Sequence, residues 1–447
     1  MDAPFIRVEP PGPRAREVLE KDSNVLMQSF VRWYPLVVET AHGAVVEDVD
    51  GNRYIDFNSG LAVMNVGHLH PKVVSAIKRQ AEKLLHYSLT DFYYKEAVEV
   101  GEKIKGIMPF KGDSRLFYAN SGAETVEGAM KIARGHFKGS RQYIIGFLGA
   151  FHGRTMGAVS ITASKPVQRK WFSPLVPGVI HVPYPYSYRC PFKAETPEEC
   201  GEAVIGYIED WILSKMVDPT EVAAFIIEPI QGEGGYIVPP DNFLPRLRRL
   251  ADEHGILLVV DEVQTGVGRT GEWYAVNHWR VEPDILTSAK GIASGLPLGV
   301  IGGKKEVMDL PPGSHASTFG GNPVSLAAAG AVIDIIREEN LLENARIQGD
   351  YIMKRFKEMM DYIDLIGEVR GKGLMIGVEL VKNRETKEPA RKEMSWIINN
   401  AFKRGVLIIS AGVSTLRIAP PLVITRDLVD RALDILEDLL KKAPRNV

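Results

Sequence analysis

AAFIIEP at residues 223–229, ILLVVDEVQ at 256–264 and DILTSAK at 284–290 are the stretches that decide the fold. Each is a short apolar run that ends in an ionisable residue: Glu228, Asp261 and Lys290. Apolar runs of this length, bounded by polar residues, read as strands buried on both faces. Between the first two lies PRLRRLADEHG, a helical pattern that closes on Gly255, a C-cap signal. Strands alternating with helices predict a parallel α/β sheet. In such sheets ligands bind outside the carboxyl ends of the strands. Glu228, Asp261 and Lys290 should therefore converge on one crevice. A buried lysine and carboxylate are costly unless they serve a ligand or each other, so a structural Lys–Asp pair is the alternative.

Working outward, NSGAE at 120–124 stands where a strand, RLFYA, meets a helix over Glu124–Phe137. Val126, Met130, Ala133 and Phe137 share one face of that helix. Gly122 lets backbone amides approach an anion, and the helix N-terminus adds free N–H groups and a positive dipole end. An ordinary N-cap by Ser121 is the other reading. Leu298–Ile301 predicts a further buried parallel strand, Asp50-Gly51 a hairpin, and Pro71 the first turn of a helix. Residues 1–22, rich in proline and charge, read as an extended arm. After about residue 330 amphipathic helices dominate (Leu326–Glu338, Asn344–Met360, Asp427–Lys441), with a strand-like IGVELV among them. The expected organisation is an arm and part of a small domain at 1–65, a large domain at 66–325, and the rest of the small domain at 326–447.

The 447 residues carry a net charge of −2, with 45% hydrophobic and 25% charged side chains. That balance gives no electrostatic footprint for nucleic acid or an anionic membrane. No apolar run approaches the roughly 20 residues of a membrane span, and the N-terminus lacks the apolar core of a secretory signal. Cys190 and Cys200 are the only cysteines. They could pair, but so few thiols point to a reducing compartment, and a soluble cytoplasmic protein is expected. Gly302-Gly303-Lys304-Lys305 lacks the spacing and the hydroxyl of a P-loop, and Ile376 stands where a dinucleotide fingerprint starting at Gly371 needs its third glycine. His68 and His70 have no partner at zinc spacing, so no metal is expected.

From about Glu47 to Leu422 the ordered motifs GNRYIDF, NVGHLHP, NSGAETVEGAMKIAR, FHGRT, IIEPIQGEGG, LVVDEVQTGVGRTG, SAKGIASGLPLG, STFGGNP and LRIAPP resemble the class III aminotransferases, the fold type I family that includes the 4-aminobutyrate and ornithine enzymes. The resemblance implies an α/β fold: a large domain with a mostly parallel seven-stranded sheet, plus a small α+β domain. It implies pyridoxal 5'-phosphate as cofactor, with Lys290 forming the Schiff base and then moving the substrate proton. Asp261 would pair with the pyridinium nitrogen, Gln264 with the ring hydroxyl, and Phe151 would stack on the ring. Ser121, Gly122 and Ala123 would hold the phosphate, and many relatives have a serine at the Ala123 position. His152, Glu228 and Val263 belong to the same implied cofactor shell. Thr318 would reach the phosphate from a neighbouring subunit, so a homodimer or higher homo-oligomer is implied.

For substrate, the resemblance pairs Glu233 with Arg417 as a gate that frees the arginine for an α-carboxylate, and gives Arg154 to the donor's carboxylate. Static salt bridges are the alternative for these charges. Leu61 stands where ornithine enzymes have tyrosine and 4-aminobutyrate enzymes have isoleucine, which disfavours a second polar head on the donor. The expected reaction is transfer of an amino group from an ω-amino acid to 2-oxoglutarate. The runner-up is an amino-acid racemase or epimerase of the same family, which needs a second acid/base opposite Lys290; Glu233 is the available carboxylate. A non-catalytic regulator on this fold would be expected to lack Lys290 or Asp261, and both are present.

Overall fold

The computed structural model describes residues 2–444. At its centre is a seven-stranded sheet in the spatial order Ser114–Ala119, Gly299–Lys304, Ile285–Ser288, Leu257–Asp261, Val222–Ile227, Tyr143–Phe147, Val179–Val182. Every neighbouring pair is parallel except the two made by Gly299–Lys304. The strand expected at Leu298–Ile301 is thus present but antiparallel. The link from Ser288 to Gly299 is too short for a crossover helix, so the chain returns beside its own strand. All residues of Val222–Ile227 and Leu257–Asp261 are buried, as expected for central strands covered by helices on both faces. Phe243–His254 runs between them and ends at Gly255 with φ +60°, the left-handed C-cap that its glycine predicts.

Two smaller sheets flank this core. One joins Val38–His42, Val45–Asp48 and Arg53–Asp56 to the late strand Val406–Leu407, so an early and a late segment of the chain share a sheet. Its hairpin turns at Asp50-Gly51, with Gly51 at φ +85°. The other is antiparallel and holds Ile366–Lys372, Met375–Asn383, Thr415–Ile418 and Ile409–Ala411. IGVELV is the body of its second strand. The expected late helices are Pro323–Glu338, Leu341–Met360 and Arg426–Lys442.

Two expectations are corrected. Residues 1–22 are not simply extended: Pro13–Val25 is a helix with proline in its first turn. Its N-cap, Gly12, has no side chain, and the cap comes instead from Asp50, whose carboxylate accepts the N–H groups of Arg14 and Ala15 at 2.9 Å each. A cap supplied from the hairpin turn leaves no local signature. Cys190 and Cys200, which could pair, are joined as a disulfide, Cα to Cα 6.0 Å, so the inference of a reducing compartment from their small number loses its support. Among the described residues, no helix is long and apolar enough to cross a membrane.

Candidate active site

The carboxyl ends of the central strands open on a cleft of about 510 Å3. Glu228, Asp261 and Lys290 line it together with the 120–123 turn, Phe151, His152, Arg154, Val263 and Gln264. The three ionisable strand ends therefore meet, as the apolar runs predict. Asp261 is buried and accepts three hydrogen bonds: from His152 Nδ1 at 2.7 Å, from the Val263 N–H at 3.0 Å and from Thr287 Oγ1 at 3.1 Å. Burial opposes a charge on His152, but the Asp261 carboxylate outweighs it and the imidazole pKa rises. Glu228 accepts from the N–H groups of Phe151 and Gly232, both at 3.1 Å, and ties the Phe151 loop to the sheet. Its burial, with Asp261 adding to the effect, pushes its pKa up to about 7.

Lys290 follows the strand Ile285–Ser288 and takes φ +47°, a left-handed conformation that costs a side-chain-bearing residue about 1–3 kcal/mol. Burial first, and then the Arg417 charge, lower its pKa to about 8, against the pull of Asp261, Glu233 and Glu228. An amine so placed is neutral over much of the range near pH 8, which is what a nucleophilic lysine needs.

The fit to a phosphorylated pyridine ring can be tested on packing and on unmet hydrogen bonds. Ser121 caps the helix Gly122–His136, accepting from the Glu124 N–H at 3.2 Å. The N-cap reading of Ser121 is thus realised, and it leaves the first-turn N–H groups of Gly122 and Ala123 without intrahelical partners. A Cβ on Gly122 would lie 2.7 Å from Val263 Cγ1, and one on Gly153 would lie 2.6 Å from Ala123 Cβ, so the cradle is closed to side chains at both points. Gln264 Oε1 and His152 Nε2 are buried with no hydrogen-bond partner among the described residues. An anion at the helix N-terminus, a ring beside Phe151 and a hydroxyl facing Gln264 suit this lining.

Glu233 and Arg417, 184 residues apart in sequence, are brought together at 3.1 Å. Arg417 is 2% exposed, and its Nε also donates to the Tyr236 hydroxyl at 2.6 Å. Glu233 has a second cation, Lys165, at 3.3 Å. Burial raises the Glu233 pKa, but Arg417 and then Lys165, with Lys290 behind them, more than reverse this and hold it down. Arg154 is exposed at the cleft, its guanidinium 5.6 Å from the centre of the Phe151 ring. Leu61 and Thr318 do not line this cleft; both are exposed. Leu61 sits in a turn where Ser59, Gly60, Leu61 and Ala62 all have positive φ, and Val63 takes the place at the cleft wall. Sequence reasoning missed Val63, Gly153 and the Gly295–Leu298 loop at the cleft, Tyr236 beside Arg417 and Lys165 beside Glu233.

The family model for class III aminotransferases matches residues 27–440. The alanine/serine racemase of Pyrococcus horikoshii is 43% identical, over 99% of this chain and 93% of its own. The probable 4-aminobutyrate aminotransferase of Bacillus subtilis is 40% identical, over 88% of this chain and 90% of its own. An amine transaminase from an uncultivated Pseudomonas species, solved in its PLP-bound form, superposes with a TM-score of 0.87 at 32% identity, over 92% of this chain and 95% of that one. With the sheet, the cleft and the family match in agreement, this chain belongs to the class III aminotransferases and is an enzyme whose cofactor is pyridoxal 5'-phosphate.

Proposed function

We propose that this enzyme moves an amino group from an ω-amino acid to 2-oxoglutarate, with Lys290 as the Schiff-base lysine. The observation that carries the reading is the buried Arg417–Glu233 pair, whose charges both act on Lys290. Such a pair lets one pocket take first a donor without an α-carboxylate and then a 2-oxo diacid. The bound cofactor supplies an electron sink for the carbanion formed at the carbon that bears the amine.

The protein's own residues do the rest. Asp261, aligned by His152, keeps a positive charge on the pyridine nitrogen by pairing with it. The N–H groups of Gly122 and Ala123 hold the phosphate, with Thr318 of a second subunit completing that end, so the working unit is a homodimer. Gln264 fixes the ring hydroxyl and Phe151 one ring face. Lys290, poised near neutrality, takes the proton from the substrate carbon and delivers it again. Arg154 and Arg417 bind carboxylates. The boundaries near residues 65 and 325 separate the cofactor-holding unit from the units that carry Arg417, and the working location is the cytoplasm.

A second reading, amino-acid racemisation or epimerisation, is supported by the 43% identity to a racemase. It needs a second acid/base across from Lys290. Glu233 is near Lys290, but its depressed pKa makes it a weak base and a poor proton donor. One experiment separates the two. Single enantiomers and a panel of ω-amines are incubated with and without 2-oxoglutarate, followed by chiral chromatography. Glutamate formed only with the oxo acid supports transfer. A D/L mixture formed without it, and no glutamate from any donor, replaces transfer with racemisation.

A further inference from the structure

Glu233 is shared between two cations of different freedom. Its Oε1 meets Arg417 Nη1 at 3.1 Å and its Oε2 meets Lys165 Nζ at 3.3 Å. Arg417 does not move easily: its side chain is 2% exposed, and its Nε is tied to the Tyr236 hydroxyl. Tyr236 is itself fully buried, and its carbonyl and that of Gly235 accept from Arg370. Lys165 has a fixed base and a free arm. Pro166 follows it and opens a short 3-10 turn, the Gln168 N–H donates to its carbonyl, and the neighbouring Arg169 is pinned to the carbonyls of Val159, Ser160 and Thr162. Its side chain is one third exposed.

We propose that Lys165 is a positioning residue of the substrate gate, keeping hold of Glu233 when a substrate carboxylate claims Arg417. The proposal rests on the reading of Arg417 as a carboxylate receptor. With Arg417 anchored by Tyr236, Glu233 is the half of the pair that must leave. A largely buried carboxylate that leaves its only cation is stranded, and that penalty keeps a gate shut. Lys165 contacts Glu233 in both states, but it matters more in the open one, where it is the remaining partner. Removing it therefore shifts the gate toward closed and weakens every ligand that needs Arg417 free.

The test uses the holoenzyme and glutarate, a dicarboxylate with no amine or carbonyl to react, titrated by calorimetry. Lys165→Met is expected to weaken glutarate about twofold to fivefold, the scale of a partly exposed ion pair, and Lys165→Arg to restore most of it. In a Glu233→Gln background, where no ionic gate exists, Lys165→Met is expected to change nothing. Unchanged affinity in Lys165→Met overturns the proposal. So does a loss that persists in the Glu233→Gln background, which would make Lys165 a direct ligand contact. If wild-type holoenzyme does not bind glutarate at all, the receptor reading of Arg417 falls and takes the proposal with it. Glutarate is not turned over, so the outcome does not depend on whether the enzyme transfers or racemises.

Discussion

Arg417 Nε donates to the hydroxyl of Tyr236 at 2.6 Å, so this buried arginine is held by a neutral group as well as by Glu233. Tyr236 has φ +53°, an unusual conformation for an aromatic residue, and that bend is part of how its ring comes to lie under the guanidinium, 5.2 Å away. The neutral bond leaves Arg417 in place when Glu233 departs.

Tyr236→Phe removes this bond and little else. A hydrogen bond to a charged group contributes about 1.5–3 kcal/mol. The KM for 2-oxoglutarate should rise at least about tenfold, with kcat changed much less. Steady-state kinetics at saturating donor checks this, and an equal fall in kcat with KM unchanged would count against the anchoring role.

Lys290 sets a pH dependence. Its amine pKa is lowered to about 8 by burial and by Arg417, so the neutral form grows as pH rises through that value. Capture of pyridoxal phosphate by the apoenzyme should accelerate from pH 7 to 9 and then level off. Arg417→Leu removes one of the causes, so its profile should move to higher pH. Stopped-flow absorbance across the pH series reads both.

Gly122 has no room for a side chain, because a Cβ would meet Val263 Cγ1 at 2.7 Å and valine is stiff. Gly122→Ala is expected to cost about 1–3 kcal/mol at the phosphate cradle. The dissociation constant of the cofactor should rise about fivefold to a hundredfold, measured by dialysis and absorbance. Retention equal to wild type would show that the cradle does not depend on this contact.

Gly349 is a structural test remote from the cleft. It lies in the helix Leu341–Met360, and a Cβ there would come 2.1 Å from the backbone oxygen of Gly373. Gly349→Ala forces helix and loop apart, with an expected loss of about 1–3 kcal/mol of stability. Denaturant midpoints of the apoprotein check it; an unchanged midpoint means the contact relaxes freely.

Much of the site was legible because its chemistry is written locally. The apolar runs before Glu228, Asp261 and Lys290 force buried strands, and parallel strands put their carboxyl ends on one side. Ser121-Gly122 at a strand-to-helix junction marks a helix N-terminus, and only the family motifs around it pointed to a phosphate there. Tyr236 and Lys165 were not legible, since a tyrosine after two glycines and a lysine before a proline have many ordinary uses. The cap that Asp50 gives to the helix at Pro13 was hidden for the same reason: the donor and acceptor lie 36 residues apart.

The sequence by itself determined the α/β class, the three ionisable strand ends, the helix start at Ser121-Gly122 and the family resemblance. Each depends on periodicity or on neighbours a few residues apart, where covalent geometry limits the outcomes. Only the tertiary structure decided that Gly299–Lys304 runs antiparallel, that Cys190 meets Cys200, and that Glu233 is divided between Arg417 and Lys165. Those are matters of distance between remote segments. Packing brings such segments together, and no local pattern records which will meet.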